Sequence, residues 1–245
     1  MTRAQSQWQT EALATAFLQG VRGAIPGGDL QLEVVAKIVD LWSARPSRIL
    51  DLGCGDGILG RLLMGRFPAA HMTFADFSEP MLAAVRNKLA DSPTATVLKA
   101  DFSEPSWLDA VAKEGAYDVI VSGFAIHHQP DARKKGLYAE IYGSLAPGGI
   151  FLNLEHVASA TPAGEALFDE HFVDHLLRFH KRAKPETTRQ EIAATYYHRP
   201  DKRENILAPL DVQCEWLRQI GFQDVDCFFK IFELALFGGR KLGNP

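Results

Sequence analysis

Arg48-Ile49-Leu50-Asp51-Leu52-Gly53-Cys54-Gly55-Asp56-Gly57 places one carboxylate among apolar residues and then sets three glycines in five positions. The apolar half predicts a buried strand, and Ile58 to Phe67 predicts the helix that follows. Between them lies a turn in which no Cβ holds a ligand away from the backbone. The start of the helix aims free N–H groups at whatever binds there. One glycine is enough for a turn or a cap, so three point to a cofactor site of the nucleotide type.

Gly55-x-Gly57-x-x-Gly60 fits the dinucleotide fingerprint, and Asp76 follows at about the distance of a ribose-binding acid. Gly53 and the strand-end acid Asp51 extend the pattern to hydrophobics followed by D-x-G-x-G-x-G. In that form the segment resembles motif I of the class I S-adenosylmethionine (SAM) methyltransferases. The resemblance implies that the carboxylate and glycine loop serve the methionine part of SAM.

Composition sets the frame. The chain has 245 residues, 47% of them apolar, enough for one domain with an insertion. A net charge of −4 and the lack of a long Lys/Arg run argue against a broad nucleic-acid or lipid surface. Three unpatterned cysteines predict neither a disulfide framework nor a zinc site. No stretch has the apolar length of a membrane span or the layout of a signal peptide, so the expectation is a cytoplasmic protein.

Strands and helices alternate as in a parallel sheet. Expected strands are Arg48 to Leu52, His71 to Asp76, Thr96 to Ala100, Tyr117 to Ser122 and Ile150 to Leu154. Expected helices are Leu30 to Trp42, Ile58 to Phe67, Pro80 to Ala90, Ser106 to Lys113 and Arg133 to Leu145, the last stopped by Ala146-Pro147-Gly148-Gly149. The alternation then breaks over 157–210, a polar, mostly helical stretch. After the helix Asp211 to Ile220, the runs Val225 to Phe232 and Leu234 to Phe237 lie too close together for a helical crossover. They must form an antiparallel hairpin.

The family resemblance extends along this order: an acid ending strand two (Asp76), Asp101-Phe102 after strand three, the Pro147-Gly148-Gly149 turn, and the closing hairpin. It implies a Rossmann-like α/β fold of seven strands in the order 3-2-1-4-5-7-6, one strand antiparallel, flanked by helices. The expected organisation is a single domain over 1–245, with an N-terminal cap segment, 1–29, and a helical lid insertion, 157–210. The implied cofactor is S-adenosyl-L-methionine, released as S-adenosyl-L-homocysteine (SAH). The expected reaction is direct in-line transfer of the sulfonium methyl to a small-molecule acceptor. A carboxy-SAM synthase-like enzyme, a tRNA-modification enzyme and a non-catalytic SAM-binding protein are the alternatives.

Ligands of open α/β sheets sit at the carboxyl ends of the strands. Cofactor candidates at that rim are Asp51, Gly53, Cys54, Gly55, Asp76, Phe77, Met81, Asp101, Phe102 and Ser122. Asp76 would accept from the two ribose hydroxyls and Asp101 from the adenine amino group, with Phe102, Phe77 and Met81 as walls of the ring slot. His127 and His128 follow strand four and are candidate bases. Glu155, His156, Phe172, Tyr196, Tyr197 and Arg199 are candidate acceptor contacts. His171 and His175 lie four apart on one helix face; they are read as part of an apolar lid face rather than as metal ligands. A homodimer through the insertion is the alternative to the lid. Ala24-Ile25-Pro26-Gly27-Gly28 is similar to the I-P-G-Y segment of the subgroup that includes carboxy-SAM synthase, with Gly28 in place of the tyrosine. Arg199 and Arg203 are both candidates for that subgroup's arginine.

Overall fold

The computed structural model describes residues 21–89, 92–199, 202 and 204–243. Strands β1 (Arg48–Leu52), β2 (His71–Asp76), β3 (Ala95–Lys99), β4 (Tyr117–Gly123), β5 (Leu145–His156), β6 (Gln223–Ile231) and β7 (Leu234–Arg240) form one sheet. Its order is β3-β2-β1-β4-β5-β7-β6. β1 to β5 pair in parallel, and β7 runs antiparallel to both β5 and β6. The order and the closing hairpin expected from the sequence are both present.

Eight α-helices among the described residues accompany the sheet. They are α1 (Gly28–Trp42), α2 (Ile58–Arg66), α3 (Glu79–Leu89), α4 (Trp107–Val111), α5 (Asp131–Ser144), α6 (Pro162–His180), α7 (Arg189–His198) and α8 (Leu210–Ile220). Their ends follow local chemistry. The Thr161 hydroxyl accepts from Gly164 N–H at the start of α6, with Pro162 in the first turn. Thr188 and Glu191 form a reciprocal capping box on α7. Gly221, at φ 120°, closes α8.

Successive residues of β1 alternate between two cores. Ile49 packs with Val39, Met72 and Phe74 on one face, and Leu50 and Leu52 with Ile120, Tyr138 and Phe151 on the other. β7 passes very close to β5: a Cβ on Gly238 would lie 2.0 Å from the Phe151 carbonyl oxygen. Only glycine fits there.

The turn expected at Ala146-Pro147-Gly148-Gly149 is instead absorbed into β5. The register between β4 and β5 shifts there, between Tyr117 and Val119. Lys241 pairs its backbone with Gly148 and Gly149 (both 2.8 Å), so the turn's polar groups gain strand-like partners from the far end of the chain. Between β5 and α8, helices α6 and α7 build a third apolar cluster from Phe168, Phe172, Leu176, Ile192 and Tyr196. It closes against Ala24, Leu234 and Phe124. Of the expected N-terminal cap, residues 1–20 lie outside the described residues, as does Arg203.

Candidate active site

Gly53, Gly55 and Gly57 all adopt left-handed φ, at 66°, 53° and 76°. Residues with a Cβ pay about 1–2 kcal/mol there, which is why three glycines occur so close together. Asp51 is 1% exposed, and its Oδ2 accepts from Gly60 N–H at 2.7 Å. Asp76 accepts from Gly55 N–H at 2.9 Å and from Ser78 N–H at 2.8 Å. The two acids that the sequence nominated for the ligand therefore also fix the loop. A Cβ on Gly55 would meet nothing within 4 Å, so the apex of the loop borders open space. Donors, two carboxylates and an open glycine apex make a cradle that fits a ribose and an amino-acid tail. Burial, with the Asp76 and Asp51 charges, pushes the Cys54 thiol up and keeps it protonated.

On the far side of the loop, Phe77 is half-buried while Met81 and Phe102 are buried. Phe102 presents its edge to Gly53, 3.0 Å from where a Cβ would stand. The Asp101 carboxylate accepts from Ser103 N–H at 2.9 Å. Sequence reasoning missed Arg133, which donates to the Phe102 carbonyl at 2.9 Å while forking onto Glu140. One arginine in a basic run carries no signal of such a role. Ser122 is fully buried and gives its hydroxyl to the Leu52 carbonyl at 2.7 Å, tying β4 to β1.

The candidate acceptor side centres on Glu155, which is 0% exposed. Its carboxylate accepts from His127 N–H (3.0 Å) and His156 N–H (2.8 Å), and it meets His127 Nδ1 at 2.5 Å. His156 Nε2 reaches Glu233 at 2.8 Å. Sequence reasoning also missed Glu233, whose one signal was an acid set between two apolar strands. His128 Nδ1 lies 3.2 Å from the Glu204 carbonyl oxygen. Phe124, at φ 51°, holds a left-handed conformation at the same rim, a strain typical of functional sites. Over this cluster Phe172 stacks on Tyr196 (5.3 Å), Arg199 lies over the Tyr196 ring (5.0 Å), and Tyr197 is 42% exposed. His171 and His175 stand side by side on α6. Among the described residues no group of three or more His, Cys, Asp or Glu is placed to hold a metal ion.

Burial pushes Glu155 up to about 7, against the ordinary 4.5. It lowers His127 well below 6.5 and His128 to about 3. A carboxyl whose folded value is raised lends stability below its unfolded value and loses it as pH rises through the folded one. The two histidines act in the opposite sense, adding stability above 6.5 and losing it on acidification. Glu155→Gln, a neutral isostere, isolates the first effect. Its Tm relative to the parent should rise with pH between about 5 and 8. A relative Tm that stays level across that window would mean that the three donors, not burial, set the charge of Glu155.

The family model described as a methyltransferase domain matches residues 49–149, from β1 through the glycine loop to the start of β5. Over these residues the chain is similar to methyltransferase domains. A demethylmenaquinone methyltransferase of Thermus thermophilus is 38% identical over 129 residues, 53% of this chain and 56% of that protein. A carboxy-S-adenosyl-L-methionine synthase of Aeromonas hydrophila is 24% identical over 241 residues, 96% of this chain and 90% of the synthase. Human N-acetylserotonin methyltransferase, solved with SAM, superposes with a TM-score of 0.61 at 16% identity; the match covers 97% of this chain and 58% of the human one. This likeness is one of fold. The chain thus spans little more than half the length of the Thermus and human proteins. No described helix is long and apolar enough to cross a membrane.

Proposed function

We propose that the methyltransferase domain binds SAM in the glycine loop and methylates a small-molecule acceptor beneath the 157–210 insertion. The observation that carries this reading is the pair Asp51 and Asp76 flanking three left-handed glycines, with Gly55 open to the ligand. When bound, SAM supplies an electrophilic methyl on its sulfonium. Asp76 would hold the ribose diol, the Asp101 turn the adenine edge, and the Gly53–Gly57 backbone the amino-acid tail. Calorimetry with SAM and NAD side by side tests the assignment, and binding of NAD alone would overturn it.

At the acceptor end, the His127 ring is engaged by Glu155 and buried, so its part is to shape the pocket. His128, held near 3, is a poor base at neutral pH. The chain's own contribution is then to orient the acceptor and exclude water. His128→Gln should lower turnover less than about tenfold, whereas general-base catalysis supplies about 100-fold or more. Single-turnover rates with the first acceptor found to react decide between them.

In this reading α6 and α7 form the lid. Tyr197→Ala should raise the acceptor KM and leave the SAM Kd within about twofold, as for uncoupled sites. If the variant shifts only the oligomeric state, the insertion is a dimer surface.

One second reading has an observation in its favour: the likeness to carboxy-SAM synthase runs along nearly the whole chain, insertion included. Mass spectrometry of the copurified ligand separates SAM from its carboxylated form.

A further inference from the structure

Lys134 is 0% exposed, one turn into α5. Burying an ammonium is costly, and the positive end of a helix adds to the cost. Its Nζ donates to Asp131 Oδ1 at 2.7 Å, but the Asp131 side chain is 54% exposed and gives only a screened partner. The second acceptor is the carbonyl oxygen of Ile206, on the segment that returns from α7 to α8. That segment is stitched to the rim. The Glu204 carbonyl faces His128 Nδ1, and Ile206 N–H donates to the His127 carbonyl at 2.9 Å. Beyond them the Ala208 carbonyl accepts from Ala158 N–H at 3.0 Å and from Gln213 Nε2 at 3.0 Å.

Of these links, the Lys134 bond is the one made by a charged, fully buried side chain rooted in the core. Ile206 has both backbone groups bonded to the core while the residue as a whole is 42% exposed. The segment is therefore held largely by polar bonds, with Ala208 its one fully buried apolar residue. Such an attachment opens locally without unfolding what lies beneath it.

We propose that Lys134 is a positioning residue: it latches the 204–208 segment onto the His127–His128 turn and so sets how the insertion seats over the pocket. The functional consequence rests on the lid reading above; the latch itself does not. Lys134→Met removes the donor and keeps the bulk, and Lys134→Gln retains a polar head should the apolar variant fail to fold.

Hydrogen exchange followed by mass spectrometry, with SAH calorimetry on the same samples, tests the proposal. Amide exchange over 204–208 should accelerate about 10- to 100-fold in the variant, as for loss of a charged hydrogen bond. Exchange in β1 to β5 and the SAH Kd should stay at parental values. Asp131→Asn, which leaves the Ile206 bond in place, should exchange like the parent. Unchanged exchange at 204–208, a rise spread evenly over the chain, or an equal effect in Asp131→Asn overturns the latch. The exchange measurement needs no bound cofactor. A failure of the SAM reading therefore shows separately, as absent SAH heat in the parent protein.

Discussion

Alanine at Asp76 should weaken SAH binding about 10- to 150-fold, the span expected when a charged hydrogen-bonding partner worth roughly 1.5–3 kcal/mol is lost. Two effects coincide at this residue. In the proposed complex the carboxylate accepts from a ribose diol, a pairing suited to a bidentate acid. In the protein alone it already accepts from Gly55 N–H and Ser78 N–H and so holds the loop in shape. Asp76→Asn keeps one acceptor oxygen and should fall between parent and alanine. Calorimetry gives the Kd values, and parallel thermal melts show how much of the change is loss of loop order. An SAH Kd that does not move in Asp76→Ala would remove Asp76 from the site.

Gly53→Ala should be the most damaging small substitution in the loop. Its left-handed φ costs about 1–2 kcal/mol for any residue with a Cβ. The new methyl would also stand 2.5 Å from Ala125 Cβ and 3.0 Å from the Phe102 ring. Overpacking of that kind adds about 1–3 kcal/mol. Together they should lower Tm by about 5–15 °C and abolish cofactor binding, since the loop must move to relieve the clash. Gly55→Ala is the informative contrast. It carries the left-handed penalty, but its Cβ enters open space. It should melt about 2–8 °C below the parent, the left-handed penalty alone, and still bind SAH poorly, because the methyl occupies the proposed ligand's place. Parental affinity in Gly55→Ala would mean that no ligand approaches the loop apex.

The cofactor half of the candidate site was legible because its determinants are local. Asp51, Gly53, Gly55, Gly57 and Gly60 lie on one strand–turn–helix, and their spacing alone dictates which can share a turn. Asp76 was reachable by counting to the end of the next strand. On the acceptor side the sequence offered residue types without partners. His127 and His128 stood out as a pair and Glu155 as an acid ending an apolar strand, yet nothing in the chain order joins Glu155 to His127 or His156 to Glu233. Reading the pair as bases followed from histidine's ordinary titration range, and burial takes both out of that range.

The pattern of apolar runs, glycines and caps thus determined by itself the alternation of strands and helices, the antiparallel hairpin and the place of the glycine turn, while the strand order came from the family resemblance that these motifs carry. The first three are consequences of period, turn conformation and connection length, which act over a few residues. Only the tertiary structure decided which polar groups are buried together. Lys134 meets Ile206 across 72 residues and His156 meets Glu233 across 77. The charge state of Glu155 follows from the removal of water around it. Desolvation and long-range pairing depend on what the whole chain packs against a group, and no short stretch of sequence contains that information.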